Sequence, residues 1–231
     1  MLSHYVGHLV DKAEDIDMKD LRKQYENYDP RIKRIVDVIP KGQRWPLLVT
    51  GPLRSWSSPQ KNVVLVGDAA HSMVNHMAQG AATAMEDGAF FGRCVSQVVK
   101  CYISLAQAIE IYERGRMTKA HFKQQASFLN GAIWHLPDGP AQQARDEVMK
   151  LELDGRPVLK SANLYGDPTT ILSVYAYDAE EHADSAIFEY LGGRDPVDTV
   201  KSITKATADT FMNWFLPLEY ERKQINIDAK L

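Results

Sequence analysis

A chain of 231 residues with 45% hydrophobic and 25% charged side chains is long enough to bury a core, and its ordinary globular usage excludes a disordered or fibrous protein. A formal charge of −3 shows no bias toward nucleic acid or an anionic membrane surface, so a small molecule or another protein is the expected partner. No apolar run approaches the roughly 20 residues that span a bilayer, and MLSHYVGHLVDKAEDID has neither a basic nor an apolar leader pattern, so a cytoplasmic protein is expected.

Weak alternation predicts a strand from His4 to Val10, and Asp17 offers an N-cap to a helix over MKDLRKQYENY. A second helix is predicted from Asp29-Pro30, because Ile32, Ile35, Val36 and Ile39 recur at helical spacing until Pro40-Lys41-Gly42 stops it. RWPLLVT, residues 44–50, reads as a strand with Pro46 at an edge or bulge, followed by the turn-rich GPLRSWSSPQKN. The uninterrupted apolar run Asn62 to Val66 predicts a strand buried on both faces, as in a parallel sheet.

Helices are predicted thereafter: about Met77–Lys100, about Leu105–Asn130, then AQQARDEVMKLEL after Pro137-Asp138-Gly139-Pro140. Two more follow, Glu180–Leu191 closed by Gly192-Gly193, and Lys201–Phe215. Cys94 and Cys101 fall in one predicted helix about 10.5 Å apart, too far for a disulfide, so free thiols are expected. With no repeat or linker in sight, residues 1–231 are expected to form one compact, mixed α/β (α+β) body with a helix-rich carboxyl region.

The segment VVLVGDAAHSMVNHMAQGAATAMEDGAFF, residues 63–91, carries the chemistry. Gly67 and Asp68 stand at the carboxyl end of the predicted strand, where sheet ligands bind, and a carboxylate there suits the hydroxyls of a polyol. Gly80-Ala81-Ala82 opens a helix whose first-turn N–H groups no bulky side chain covers, a place for an electron-rich carbonyl or an anion. On residue chemistry alone this balances against a plain alternative, in which Asp68 caps a turn and the small residues let the helix pack.

Other candidates weigh less. His71 and His76 lie five apart near Asp68, but no metal site is expected, and Ser55, Ser57 and Ser58 lack a nucleophile elbow. Gly88 and Gly92 are expected to permit close packing. Glu86 and Asp87 point in different directions as helix neighbours, so a solvated or capping role is expected. No catalytic residue is singled out. Arg44 and Trp45 suit an aromatic acid and are substrate candidates, with Arg54 and Trp56 flanking them.

GDAAHSMVNHMAQGAATAMEDGAFF resembles the second flavin-binding motif of the class A FAD-dependent monooxygenases, the aromatic-ring hydroxylases, and especially the fungal salicylate hydroxylase-like enzymes. The likeness takes in RWPLLVTGPLRSW and HLPDGPAQQARD, and extends over residues 1 to about 195 as the carboxyl half of such an enzyme. It implies FAD as cofactor, NAD(P)H as co-substrate and hydroxylation of an aromatic or polyketide-like small molecule. Asp68 would bind the ribityl hydroxyls, Gly67 would shape the turn, and Gly80, Ala81 and Ala82 would present N–H groups to the pyrimidine side of the flavin. Asn75 matches a position close to flavin and substrate, although Ser72 and Asn75 stand where many members carry proline.

By the same resemblance, residues 1–60 would complete a substrate-side sheet region, 61–100 would contact the flavin and 101–231 would form a helical region. The chain has no Gly-x-Gly, so the family's amino-terminal dinucleotide-binding βαβ unit, which grips the FAD pyrophosphate, is missing from it. A truncated monooxygenase is therefore expected, completed by a homo-oligomer or a separate chain. The alternative is a flavin-free protein on the same scaffold, either a cyclase or isomerase or a non-catalytic interaction subunit.

Overall fold

The computed structural model describes residues 10–153, 155 and 160–192. The helix expected at Lys201–Phe215, and all but the last residue of the strand expected at His4–Val10, lie outside them. Contacts divide the chain into two units, Met1–Leu48 and Val49–Leu231.

In the first unit, helix α1 (Met18–Gln24) starts where the Asp17 side chain accepts a hydrogen bond from the Lys19 N–H at 2.8 Å. Helix α2 (Pro30–Asp37) starts the same way, with Asp29 accepting from Arg31 N–H at 2.8 Å and Pro30 in the first turn. The strands are a minimal antiparallel pair, β1 (Glu14–Asp15) with β2 (Gln43–Arg44). The rest of the strand expected over residues 44–50 does not form: Trp45, Leu47 and Leu48 are exposed and lie in neither strand of the pair.

The second unit is built on α4 (Gly80–Val99) and the 30-residue α5 (Leu105–Trp134), with α8 (Ala179–Leu191) packed against both. A capping box between Ser104 and Gln107 starts α5. Apolar residues at α4 positions Phe90 and Cys94, α5 positions Ala108, Ile111, Tyr112 and Ala120, and α8 positions Ala183 and Ile187 close over Trp56 to form the core. Gly115 lets α5 pass directly over the Phe90 ring, which an added Cβ would overlap. At Gly88 and Gly92, by contrast, an added Cβ would meet nothing within 4 Å, so those glycines do not mediate the close packing expected of them.

The expected buried strand at Asn62–Val66 is the main correction. It forms one antiparallel bridge, Val64 to Ser57, within a hairpin closed by Ser58 N–H to the Val63 carbonyl (3.0 Å) and Leu65 N–H to the Trp56 carbonyl (2.7 Å). Val63 and Val66 stay 60% and 40% exposed, so the apolar run does not have the two covered faces its composition suggested. The fold is mixed as expected, but its helices far outweigh its strands.

The remaining helices are α3 (Asp68–His71), α6 (Pro140–Leu153) and α7 (Pro168–Tyr175). Sequence reading missed α7, although Asp167-Pro168 carries the same start signal as Asp29-Pro30, and the Asp167 side chain accepts from Thr170 N–H at 2.7 Å. Cys94 and Cys101 are free thiols, but Cys101 sits past the end of α4 at φ 60°, not within the helix.

Candidate active site

The site begins with a backbone conformation. Gly67 has φ 63° and ψ −139°, a region open essentially to glycine alone, and this turns the chain from the hairpin straight into α3. Asp68 is the first residue of α3 and is exposed. A Cβ placed on Gly80 would lie 3.9 Å from Asp68 Oδ1, so the carboxylate stands beside the start of α4. No side chain caps that helix: Gln79 occupies the cap position without a side-chain hydrogen bond, and the first turn holds no acidic residue. Ala81 is exposed and Gly80 and Ala82 partly so, which leaves a positive helix end open next to a carboxylate.

The connection between these two points is largely buried. His71, His76, Met77 and Gln79 are buried, and a 3-10 turn at Asn75–Met77 ends on Ala78 in the left-handed region. Carbonyl groups of a buried irregular segment need donors, and one stripe of α5 supplies them. Gln124 Nε2 donates to the Ser72 carbonyl (2.9 Å), Ser127 Oγ to that of Val74, and Asn130 Nδ2 to that of His76 (2.7 Å). Gly131, one residue further, clears the space in which the His76 ring lies. Burial, and then the neighbouring His135, push the His76 imidazole below its ordinary range, so it is neutral at pH 7. Gly131→Ala would place a methyl group in that ring. Overpacking of this kind is expected to cost about 1–3 kcal/mol, read by urea denaturation, and an unchanged midpoint would show that the loop yields freely.

Behind the loop lies a buried ion network. Asp87, wholly inaccessible, accepts from Gly67 N–H (3.0 Å) and His71 Nε2 (2.5 Å) on Oδ2 and from Arg116 Nε (2.8 Å) on Oδ1. Arg116 Nη2 also donates to Glu86 Oε2 (2.9 Å) and the Thr83 carbonyl (3.2 Å), while Lys123 Nζ reaches Glu86 Oε1 and, at 3.3 Å, Gln79 Oε1. Burial alone would raise the Asp87 pKa, but the hydrogen bond from His71 and the Arg116 charge outweigh it and hold the carboxyl below its usual range. For Lys123 burial prevails over the pull of Glu86, and its pKa is lowered. The expectation that Glu86 and Asp87 are solvated is thus overturned. Asp87 lies in phase with Thr83, Phe90 and Cys94 on the buried face of α4.

No protein-family model matches the chain. It is 30% identical over 176 residues to the FAD-dependent monooxygenase OpS4 of Beauveria bassiana, covering 74% of this chain and 39% of that protein. It is 36% identical over 122 residues to the 6-hydroxynicotinate 3-monooxygenase of Pseudomonas fluorescens, covering 53% of this chain and 31% of the relative. Over this part of their length, the proteins it is similar to are FAD-dependent monooxygenases. Its fold agrees: CtdE in complex with FAD and its substrate superposes with a TM-score of 0.59 at 20% identity, over 89% of this chain and 43% of that one. The chain spans less than half the length of the monooxygenases it matches, which fits a carboxyl-half portion.

Of the residues singled out in the sequence, one group comes together in the structure. Gly67, Asp68, Gly80, Ala81 and Ala82 are brought together in the second unit, and Asn75 lies partly buried in the loop between them. Arg44 and Trp45 are not in that unit: they belong to the first, where Arg44 Nε pairs with Glu14 at 2.8 Å and Trp45 is 67% exposed. Trp56 is a core residue with no exposure, and Ser55 and Ser57 donate to Glu113. What sequence reading missed is the support: Asp87, Arg116, Lys123 and the Gln124-Ser127-Asn130 stripe. The signal was polar residues at i, i+3, i+6 spacing in phase with the buried α5 positions Met117 and Ala120, where solvent would not satisfy them.

Proposed function

We propose that the Gly67–Asp68 turn and the start of α4 hold the flavin and ribityl end of FAD in a monooxygenase that hydroxylates an aromatic or polyketide-like small molecule. The observation that carries this is the approach of the Asp68 carboxylate to the uncapped helix at Gly80, 3.9 Å as measured to an added Cβ. Asp68 would accept hydrogen bonds from ribityl hydroxyls, and the N–H groups of Gly80, Ala81 and Ala82 would face the electron-rich pyrimidine edge. FAD, when bound, supplies the redox and oxygen chemistry, with NAD(P)H as the source of electrons. The protein's own share is to place the ring and exclude water. Asn75, in the loop between these two points, is the residue of this unit assigned to the substrate. Completion of the cofactor site by a second copy or a separate chain, in the cytoplasm, belongs to the same reading.

The test is titration with FAD, followed by quenching of flavin fluorescence. Saturable micromolar binding is expected, weakened at least tenfold, about 1.4 kcal/mol, in Asp68→Ala. Binding that ignores the substitution, or no binding, would turn the reading toward a flavin-free scaffold that acts as a cyclase, an isomerase or an interaction subunit.

A further inference from the structure

The two sides of the candidate site come from separate stretches of chain, Gly67–Asp68 and Gln79–Gly80, and each is tied to the same set of buried charges. On the first side, Asp87 accepts from Gly67 N–H at 3.0 Å and from His71 Nε2 at 2.5 Å, so one carboxylate grips both ends of the four-residue helix that begins with Asp68. On the second side, Lys123 donates to the Gln79 side chain at 3.3 Å, immediately before Gly80. Between them the path is continuous: Asp87 to Arg116 (2.8 Å), Arg116 to Glu86 (2.9 Å), and Glu86 to Lys123. Arg116 and Lys123 are almost wholly buried, and Arg116 and Lys123 both stand over the Tyr177 ring, at 5.1 and 5.9 Å from its centroid. Each member therefore has few alternative positions.

We propose that the Asp87–Arg116–Glu86–Lys123 network is a positioning device that couples the two sides of the site, so that residues remote from any ligand set the separation of Asp68 from the start of α4. Moving one charge obliges its neighbour to re-pair, because a buried ion left alone is far costlier than a shifted one. Disturbance at Lys123 then reaches Gly67 through three intervening side chains, Glu86, Arg116 and Asp87. The purpose of the device rests on the proposed flavin site; the coupling itself does not.

Amide hydrogen exchange, resolved by residue in the protein without added FAD, separates the two. The reporters are Gly67 N–H, bonded to Asp87; Ala70 and His71 N–H, bonded to the Gly67 carbonyl; and Thr83 N–H, bonded to the Gln79 carbonyl at 2.8 Å. Amides of α8 serve as the control. Lys123→Met, whose hydrogen bonds reach only Glu86 and Gln79, is expected to speed exchange at Gly67, Ala70 and His71 about tenfold or more with α8 unchanged. Asp87→Asn should do the same at Thr83, and Lys123→Arg should restore slow exchange at Gly67. Acceleration confined to Thr83 in Lys123→Met would overturn the coupling. So would uniform acceleration that includes α8, the mark of a pair that contributes stability only. Glu86→Gln, at a partly exposed residue, gives the same reading should Lys123→Met fail to fold. Wild-type protein that fails to bind FAD yet shows the coupling would lose the proposed function and keep this inference.

Discussion

Arg116→Met is expected to destabilise the second unit by about 3–5 kcal/mol, enough to remove much of a domain's marginal stability. Methionine replaces most of the packing volume, so the loss is electrostatic in origin. The Arg116 side chain has no exposure and serves Asp87 at 2.8 Å, Glu86 at 2.9 Å and the Thr83 carbonyl at 3.2 Å. Without it, Asp87 keeps only the Gly67 N–H and His71, and a carboxylate with no exposure has no water to turn to. Removing both charges is therefore expected to cost less than removing one. Asp87→Asn combined with Arg116→Met should lie above Arg116→Met alone, with a coupling energy of about 1–3 kcal/mol in a double-mutant cycle. Urea denaturation reads both quantities. A loss below about 1 kcal/mol for Arg116→Met would show that water reaches the network and screens it.

The same residues mark where sequence reading succeeds and where it stops. Asp17 before α1, Asp29-Pro30 before α2 and the apolar spacing in α4, α5 and α8 are local signals, and each led to a helix within a few residues of its observed ends. The turn at Gly67 and the open helix start at Gly80 were legible because a φ of 63° and an uncapped first turn leave a mark in residue type alone. The fate of Asn62–Val66 was not legible. An apolar β-branched run states that it prefers cover on both faces, but whether strands flank it depends on residues distant in the chain, and here it receives one bridge. Asp87 failed for a related reason: next to Glu86 it reads as a surface acid, and only the facing Arg116 of α5, 29 residues on, makes its burial affordable. Phase offered a clue, since Asp87 repeats with Thr83, Phe90 and Cys94.

Glu113 sets the second large effect, and its signature is pH. The residues Ser55 to Lys61 wrap its carboxylate, which accepts from Ser55 Oγ (2.5 Å), Trp56 N–H (2.7 Å), Ser57 Oγ (2.6 Å) and Lys61 Nζ (2.6 Å). Burial would raise its pKa, but the hydrogen bonds from Lys61, Ser55, Ser57 and Trp56 N–H together bring it down to about 2. A folded pKa below the unfolded value of 4.5 gives stability that is complete above 4.5 and lost as the pH falls toward 2, since the unfolded chain binds the proton first. His121 acts in a higher window. It is 1% exposed, neither ring nitrogen has a hydrogen-bond partner among the described residues, and burial, aided by His71, lowers its pKa from 6.5 to about 4. Protonation of the unfolded chain therefore drains stability from about pH 6.5 down to 4. Two losses should follow in sequence on acidification, the histidine first and the carboxylate second. Glu113→Gln is expected to cost about 2–4 kcal/mol at pH 7, because the four donors lose a charged acceptor, and to flatten the lower loss only. His121→Phe keeps a ring beside Trp56 and should flatten the upper loss only, leaving the protein more stable than wild type at pH 5. Urea midpoints from pH 8 to pH 3 decide it, and a Glu113→Gln profile parallel to wild type below pH 4.5 would remove Glu113 from the acid transition.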